Sequence, residues 1–152
     1  GWSGWENYLK YADIVQLDKN ECAAMFNKKI ETIRDSAACA KKLLDAGIKQ
    51  ALLTLGKEGV LIAQHVFGAR RYEYLHLPAV PVKAVDTTGA GDAFAAGYLV
   101  TLHEGKSPAE AAKFGSLVAA INCEFIGYIK NLNRAAIEKR MPVDFNPIPI
   151  NV

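Results

Sequence analysis

Val85-Asp86-Thr87-Thr88-Gly89-Ala90-Gly91-Asp92-Ala93-Phe94-Ala95-Ala96-Gly97 sets a turn of small residues and a carboxylate directly in front of an apolar helical run. Gly89, Ala90 and Gly91 carry little or no side chain, so backbone N–H groups at the start of the helix can approach a charged oxygen closely. The helix dipole adds partial positive charge at the same place, which suits an anion. Asp92 stands there as a candidate base. Two common nucleotide motifs are excluded. A Rossmann fingerprint needs glycine where Phe94 stands, and no Gly-x-x-x-x-Gly-Lys-Ser/Thr loop occurs. Taken alone, Gly-x-Gly-Asp is also an ordinary turn into a helix, with Asp92 favouring its positive end.

Outward from this stretch the pattern alternates between extended and helical. Upstream, Ile14-Val15-Gln16-Leu17 reads as a strand, residues 20–26 as a short helix, and residues 36–46 as a longer amphipathic helix ended by Gly47. Residues 49–55 and 59–64 are β-rich runs separated by Gly56-Lys57-Glu58-Gly59, and residues 70–77 alternate like a third strand before Pro78 and Pro81. Ser3-Gly4-Trp5-Glu6 has capping-box spacing and predicts a helix to about Tyr11. Downstream, the helix from about Ala90 to His103 places Phe94, Tyr98 and Leu102 on one face. Ser107-Pro108-Ala109-Glu110 opens another helix, running toward Cys123, with a capping box and proline at the first helical position. Residues 132–140 read as a last short helix, and Asn146-Pro147-Ile148-Pro149 as an extended, exposed tail. This β/α alternation argues for one layered α/β domain, its sheet mostly parallel with some antiparallel pairing near residues 50–77.

Composition narrows the function classes. The 152 residues are 51% hydrophobic and 22% charged, which is that of a globular protein with a real core. A net charge of +2 without a basic run interleaved with aromatics gives no reason to expect a nucleic-acid partner. The most apolar window, residues 93–102, is about half the ~20 residues a membrane span needs, and no charged-then-apolar leader opens the sequence. Cys22, Cys39 and Cys123 have no Cys-x-x-Cys spacing, so buried thiols in a reducing, cytoplasmic compartment are expected. His65, His76 and His103 lack metal-ligand spacing, and Trp2 and Trp5 read as packing groups.

Three segments, in this order and spacing, resemble the pfkB (ribokinase-like) carbohydrate kinases. The quoted stretch is similar, nearly letter for letter, to the family's second signature, whose final Asp, here Asp92, accepts the proton in phosphoryl transfer while Gly89, Ala90 and Gly91 line the anion hole. Ala12-Asp13-Ile14-Val15-Gln16-Leu17-Asp18-Lys19-Asn20-Glu21 is similar to the strand ending in Asn-x-x-Glu, tied to magnesium and phosphate, with Asp18 where Asn is usual. That exchange puts a negative charge beside a triphosphate, weakening nucleotide binding or holding Mg²⁺ more directly. Leu53-Thr54-Leu55-Gly56-Lys57-Glu58-Gly59 looks like the family's Thr-Leu-Gly-x-x-Gly turn over the nucleotide, and is equally a plain hairpin connection. Phe114-Gly115-Ser116-Leu117-Val118-Ala119-Ala120 matches the helix that flanks the adenine, with Ser116 where Asn is common.

The resemblance implies a three-layer ribokinase-like fold and ATP-dependent phosphorylation of a sugar (or nucleoside) hydroxyl. It assigns nucleotide contacts to Asp18, Glu21, Thr54, Gly56, Gly59 and Ser116, and Mg²⁺ to Glu21. Asp86, Thr88 and Gly127 match positions that border a monovalent-cation site in many members, so K⁺ is the further ion it admits. Residues 1–152 correspond to the C-terminal, nucleotide-binding and catalytic half of such a kinase, incomplete at the N-terminal side of the sheet. A fragment, inactive by itself and prone to self-association, is therefore expected. The family's other half carries most sugar contacts and the small β-lid that often makes a homodimer. The rival expectation is a non-catalytic nucleotide-binding or regulatory module with the same fold, which the substitutions at Asp18 and Ser116 favour and the intact Asp92 opposes.

Overall fold

The computed structural model describes residues 3–127 and 133–152. They form two compact units. The first comprises residues up to Gly56, then Val60–His76 and Ile148–Val152. The second comprises Lys57–Gly59 and Leu77–Pro147.

The first unit is built on a sheet of five strands in the order β1 (Ile14–Asp18), β2 (Gln50–Thr54), β3 (Val60–His65), β4 (Tyr72–Leu77), β5 (Ile148–Pro149). Between β1 and β2 the chain makes a crossover through α2 (Lys19–Phe26) and α3 (Ile33–Asp45), and the two strands pair in parallel. From β2 to β3 only residues 55–59 intervene, and that pair is antiparallel, as is β4 with β5. A short connection can only reverse the chain, whereas a parallel pairing needs a long crossover. The α/β class is as expected, but the sheet is mixed within this chain rather than mostly parallel, because its tight turns outnumber its helical crossovers.

The middle strands β2 and β3 are buried through most of their length, in keeping with their runs of Ala, Leu, Ile and Val. Against them α3 lays Ala37, Cys39, Ala40, Leu43 and Leu44, all fully buried. Cys22 and Cys39, both free thiols, share a hydrogen bond between α2 and α3, and with burial it holds the Cys22 thiol far above its usual range. Trp5 packs edge-on against Phe26 at 5.2 Å, the packing role expected of it, while Trp2 lies outside the described residues.

Helix starts follow local chemistry. A reciprocal capping box opens α2 with Asp18 and Glu21, and another opens α3 with Thr32 and Asp35, three residues earlier than the sequence reading began that helix. The box expected at Ser3 does not form: α1 (Glu6–Leu9) starts from Trp5 with no side-chain cap, and it spans one turn. The tail is extended and exposed at Ile148, as expected, yet Ile148 and Pro149 also pair with His76 and Leu75 and so close one edge of the sheet.

The second unit is led by α4 (Ala90–His103) and α5 (Pro108–Cys123), followed by the short α6 (Arg134–Glu138). Ser107 caps α5 in a capping box with Glu110, and Pro108 occupies the first turn. Leu132, expected in α6, lies outside the described residues. Phe114, Leu117, Val118, Ile121 and Ile137 form the core of this unit, with Val80, Ala93 and Met141 packed against it. Among the described residues no helix is long and apolar enough to cross a membrane.

Candidate active site

Gly89 is the hinge of the second unit's site. It holds φ +75°, a left-handed conformation that a side chain resists, and it is the N-cap of α4 with no side-chain cap. The Ala90 N–H donates to the Thr87 carbonyl at 3.1 Å, and the Ala93 N–H donates to the Gly89 carbonyl at 2.9 Å, the first bond of the helix. Of the three small residues expected to face an anion, Ala90 thus turns its amide inward. Asp92 follows as the third residue of α4, exposed, within the turn where the macrodipole favours negative charge.

Three contacts from within the same unit fix this turn. Asp86 Oδ1 accepts the Thr88 N–H at 2.9 Å, and that bond holds the Asp86 carboxyl below its usual range. The Val85 and Asp86 N–H groups both donate to the carbonyl of Cys123, at 2.7 and 3.2 Å. Asn122 Nδ2 donates to the Thr88 carbonyl at 2.9 Å. The signature is therefore strapped to the last turn of α5. Sequence reasoning passed over Asn122; its signal was a lone amide ending the apolar run Leu117-Val118-Ala119-Ala120-Ile121.

Where α4 crosses α5 there is no room for side chains. A Cβ on Gly97 would lie 2.9 Å from Gly115 Cα, and one on Gly115 would lie 2.7 Å from the Phe94 carbonyl oxygen. Phe94 and Tyr98 stack on the buried side of α4 at 5.8 Å, and burial pushes the Tyr98 phenol up. Ser116, half-buried, follows Gly115 on α5. Gly127 is exposed at φ +81°. Gly59 takes φ +100° with its α-carbon against the Leu77 carbonyl, where a Cβ would also lie 2.6 Å from Pro78 C.

The first unit carries the other expected residues. Asp18 and Thr54 are register partners at the C-terminal ends of the parallel strands β1 and β2, the end of an α/β sheet where ligands bind. Glu21 Oε2 accepts the Asp18 N–H at 2.7 Å, and Asp18 Oδ1 accepts the Glu21 N–H at 2.8 Å. Asn and Asp both offer this oxygen at an N-cap, which gives the exchange at position 18 a local reason. Gly56, at φ +60°, starts a short 3₁₀ turn through Glu58 in place of a plain hairpin loop.

Toward Mg²⁺ the donor set fits in kind. Asp18 and Glu21 offer hard carboxylate oxygens, and Mg²⁺ is held by one or two carboxylates with water and phosphate oxygens rather than by a protein cage. Among the described residues no three His, Cys, Asp or Glu side chains form a metal cluster. Of the residues expected around a monovalent cation, the Thr88 carbonyl accepts from Asn122, Asp86 Oδ1 accepts from the Thr88 amide, and Gly127 is exposed at φ +81°.

The model of the pfkB family carbohydrate kinases matches residues 3–134. A 1-phosphofructokinase of Haloferax volcanii is 35% identical over 107 residues, which cover 70% of this chain and 33% of that protein. The solved ribokinase of Thermotoga maritima is 33% identical with a TM-score of 0.73, covering 89% of this chain and 44% of the other. The ribokinase of Arabidopsis thaliana, solved with ribose and ATP, gives a TM-score of 0.77 at 28% identity, covering 90% of this chain and 43% of that one. The chain spans about a third of the length of the curated relatives it matches.

Proposed function

Since this chain belongs to the pfkB family of carbohydrate kinases, we propose that it holds the nucleotide site and catalytic base of an enzyme that phosphorylates a sugar hydroxyl with ATP. The observation that carries this reading is Asp92 in the first turn of α4, directly behind a left-handed glycine cap strapped to α5. The Haloferax relative is a 1-phosphofructokinase and the Arabidopsis structure contains ribose and ATP, which supports a sugar acceptor and ATP as donor.

In this mechanism the acceptor hydroxyl oxygen bonds to the γ-phosphorus as the bond from that phosphorus to the β,γ-bridging oxygen breaks, releasing ADP. Asp92 takes the hydroxyl proton as the new bond forms. Its part is to stand within reach of that proton, in the first turn of α4. The transition state is loose and its charge lies on the equatorial oxygens, so catalysis is mostly placement and charge stabilisation. The α4 N-terminus supplies part of that charge. Mg²⁺, when bound, would neutralise more of it, and Asp18 and Glu21 are the carboxylates that would hold its shell. Thr54, Gly56, Gly59 and Ser116 are assigned to the nucleotide. No step is routed through K⁺. The rival reading, a non-catalytic nucleotide module, drew on Asp18. The N-cap role gives that residue a reason unrelated to lost activity.

Calorimetric titration of the chain with a non-hydrolysable ATP analogue and Mg²⁺ tests the site. Product formation over a panel of pentoses, hexoses and nucleosides, with the full-length protein, tests the chemistry. Asp92→Asn is expected to leave nucleotide affinity within about twofold and to lower turnover by ~10² or more, the usual loss of a general base. An unchanged rate would exclude Asp92 as the base. A folded chain that binds no nucleotide would count against a self-contained nucleotide site.

A further inference from the structure

Cys22 of α2 and Cys39 of α3 are both free thiols, each 1% exposed, and they meet between the two helices in the core of the first unit. The Cys22 S–H donates to the Cys39 sulfur. Two ammonium groups flank the place where the helices join. Lys42 Nζ lies 5.3 Å from the centroid of the Phe26 ring, and Lys28 Nζ is 3.1 Å from Asp35 Oδ1. The bond from Cys22, with the charges of Lys28 and Lys42, holds the Cys39 thiol below its usual range, whereas the same bond and burial push Cys22 up. One sulfur is thus prepared as a nucleophile while its neighbour keeps the proton, the division of labour that thiol oxidation uses. The two helices are held unequally: α3 buries Ser36, Ala37, Cys39, Ala40, Leu43 and Leu44, but α2 buries only Cys22 and Met25. With so few buried contacts, α2 is the helix that opens locally and admits a small oxidant.

We propose that Cys22 and Cys39 are a reversible disulfide site, oxidised by hydrogen peroxide, whose closure displaces the start of α2. The Cys39 thiolate attacks one peroxide oxygen and the O–O bond breaks, leaving a sulfenic acid on Cys39 and hydroxide. The Cys22 thiol then attacks the Cys39 sulfur, the S–O bond breaks and the S–S bond forms. The two thiol protons end on the two peroxide oxygens, so two waters leave and the sulfurs have given two electrons to the peroxide. A dithiol reverses the reaction by exchange. An S–S bond of about 2.05 Å is shorter than any hydrogen bond between sulfurs, so the helices must close up, and the lightly anchored α2 is the one to move. Glu21 directly precedes Cys22 and exchanges hydrogen bonds with Asp18 across the first turn, so that box is disturbed with it. The consequence for Mg²⁺ and nucleotide rests on the function proposed above, whereas the disulfide does not.

The test starts from the reduced chain, treated with millimolar hydrogen peroxide, digested with trypsin without reductant and read by mass spectrometry. Cleavage after Lys19, Lys28, Arg34 and Lys41 puts the two cysteines in separate peptides, residues 20–28 and 35–41. These are expected as one linked species, two hydrogens lighter than their sum, which dithiothreitol parts again. Amide hydrogen exchange in residues 18–22 is expected to rise roughly fivefold in the oxidised chain, the scale of one lost hydrogen bond, and to return on reduction. Affinity for a non-hydrolysable ATP analogue with Mg²⁺ is expected to fall by roughly the same factor, the low end of coupling between two sites. Cys22→Ser is expected to show none of these responses to peroxide. Sulfinic acid on Cys39 without a linked species, linkage to Cys123 in place of the pair, or an oxidised chain whose exchange is unchanged or slower would each overturn the proposal. Equal nucleotide affinity in the two states would overturn its effect on the site. A chain that binds no nucleotide in either state counts against the nucleotide site instead, and linkage and exchange still decide the thiol pair. Should Cys22→Ser fail to fold by circular dichroism, re-reduction of the same oxidised sample is the control.

Discussion

Gly97 of α4 and Gly115 of α5 meet backbone to backbone, with the place of a Gly97 Cβ only 2.9 Å from the Gly115 α-carbon. An alanine in a helix interior usually stabilises relative to glycine by about 0.5–1 kcal/mol. At this crossing the sign is expected to reverse. Gly97→Ala or Gly115→Ala must push the helices apart and should cost about 1–3 kcal/mol, as overpacking does. The double variant should cost less than the sum, since the first substitution already opens the space the second needs. Urea unfolding of the three variants measures both effects.

Gly59 and Gly56 separate backbone strain from collision. Both have positive φ, at +100° and +60°, but a Cβ on Gly56 meets nothing within 4 Å whereas one on Gly59 runs into the Leu77 carbonyl. Gly56→Ala is expected to cost about 1 kcal/mol, the strain of a left-handed residue alone. Gly59→Ala should cost clearly more and should disturb the exit of β4. Equal midpoints for the two variants in thermal unfolding would contradict the assignment.

The cap of α2 sets a third expectation. Asp18→Asn keeps the oxygen that accepts the Glu21 N–H and should leave stability nearly unchanged, whereas Asp18→Ala should lower it by about 1 kcal/mol. If nucleotide affinity rises in Asp18→Asn while stability does not, the extra negative charge beside the triphosphate is the cause.

Acid should loosen the first unit through Asp35. The hydroxyl and amide of Thr32, with Lys28, hold its carboxyl well below the usual carboxylate range. A depressed folded-state pKa contributes stability that is complete above the unfolded value of about 3.9 and is lost as pH falls toward the folded one. Asp45, Asp86, Glu110 and Glu124 are shifted in the same direction, so their contributions decline together. Denaturation midpoints should therefore fall steadily below about pH 4. Asp35→Asn should flatten that slope.

Much of this was legible in the letters because the signals were local. Ser107-Pro108-Ala109-Glu110 fixed the start of α5 by chemistry confined to one turn, and the span of α4 was readable to the residue. The box at Ser3 failed by the same token: an isolated single-turn helix has little propagation to offset nucleation, so its spacing alone could not hold. Thr32 and Asp35 form a box with Asp in place of the usual Glu or Gln, which hid the true start of α3. The mixed sheet was half legible, since the short loops were visible but Leu75 and His76 of β4 pair with Pro149 and Ile148, far along the chain. Asn122 was beyond reach because its partner lies 34 residues away and no spacing rule links them.

Apart from the single-turn α1, every helix in the described residues starts from a side chain that accepts a backbone amide, except α4, which starts from a bare glycine. For an engineer this marks where robustness and usefulness part company. A directed-evolution campaign for heat tolerance, scored on solubility alone, would look for gains in polar groups beside position 89, since the left-handed backbone of Gly89 itself resists a side chain. The winners of such a campaign would have filled the bare helix end that the proposed function reserves for phosphate.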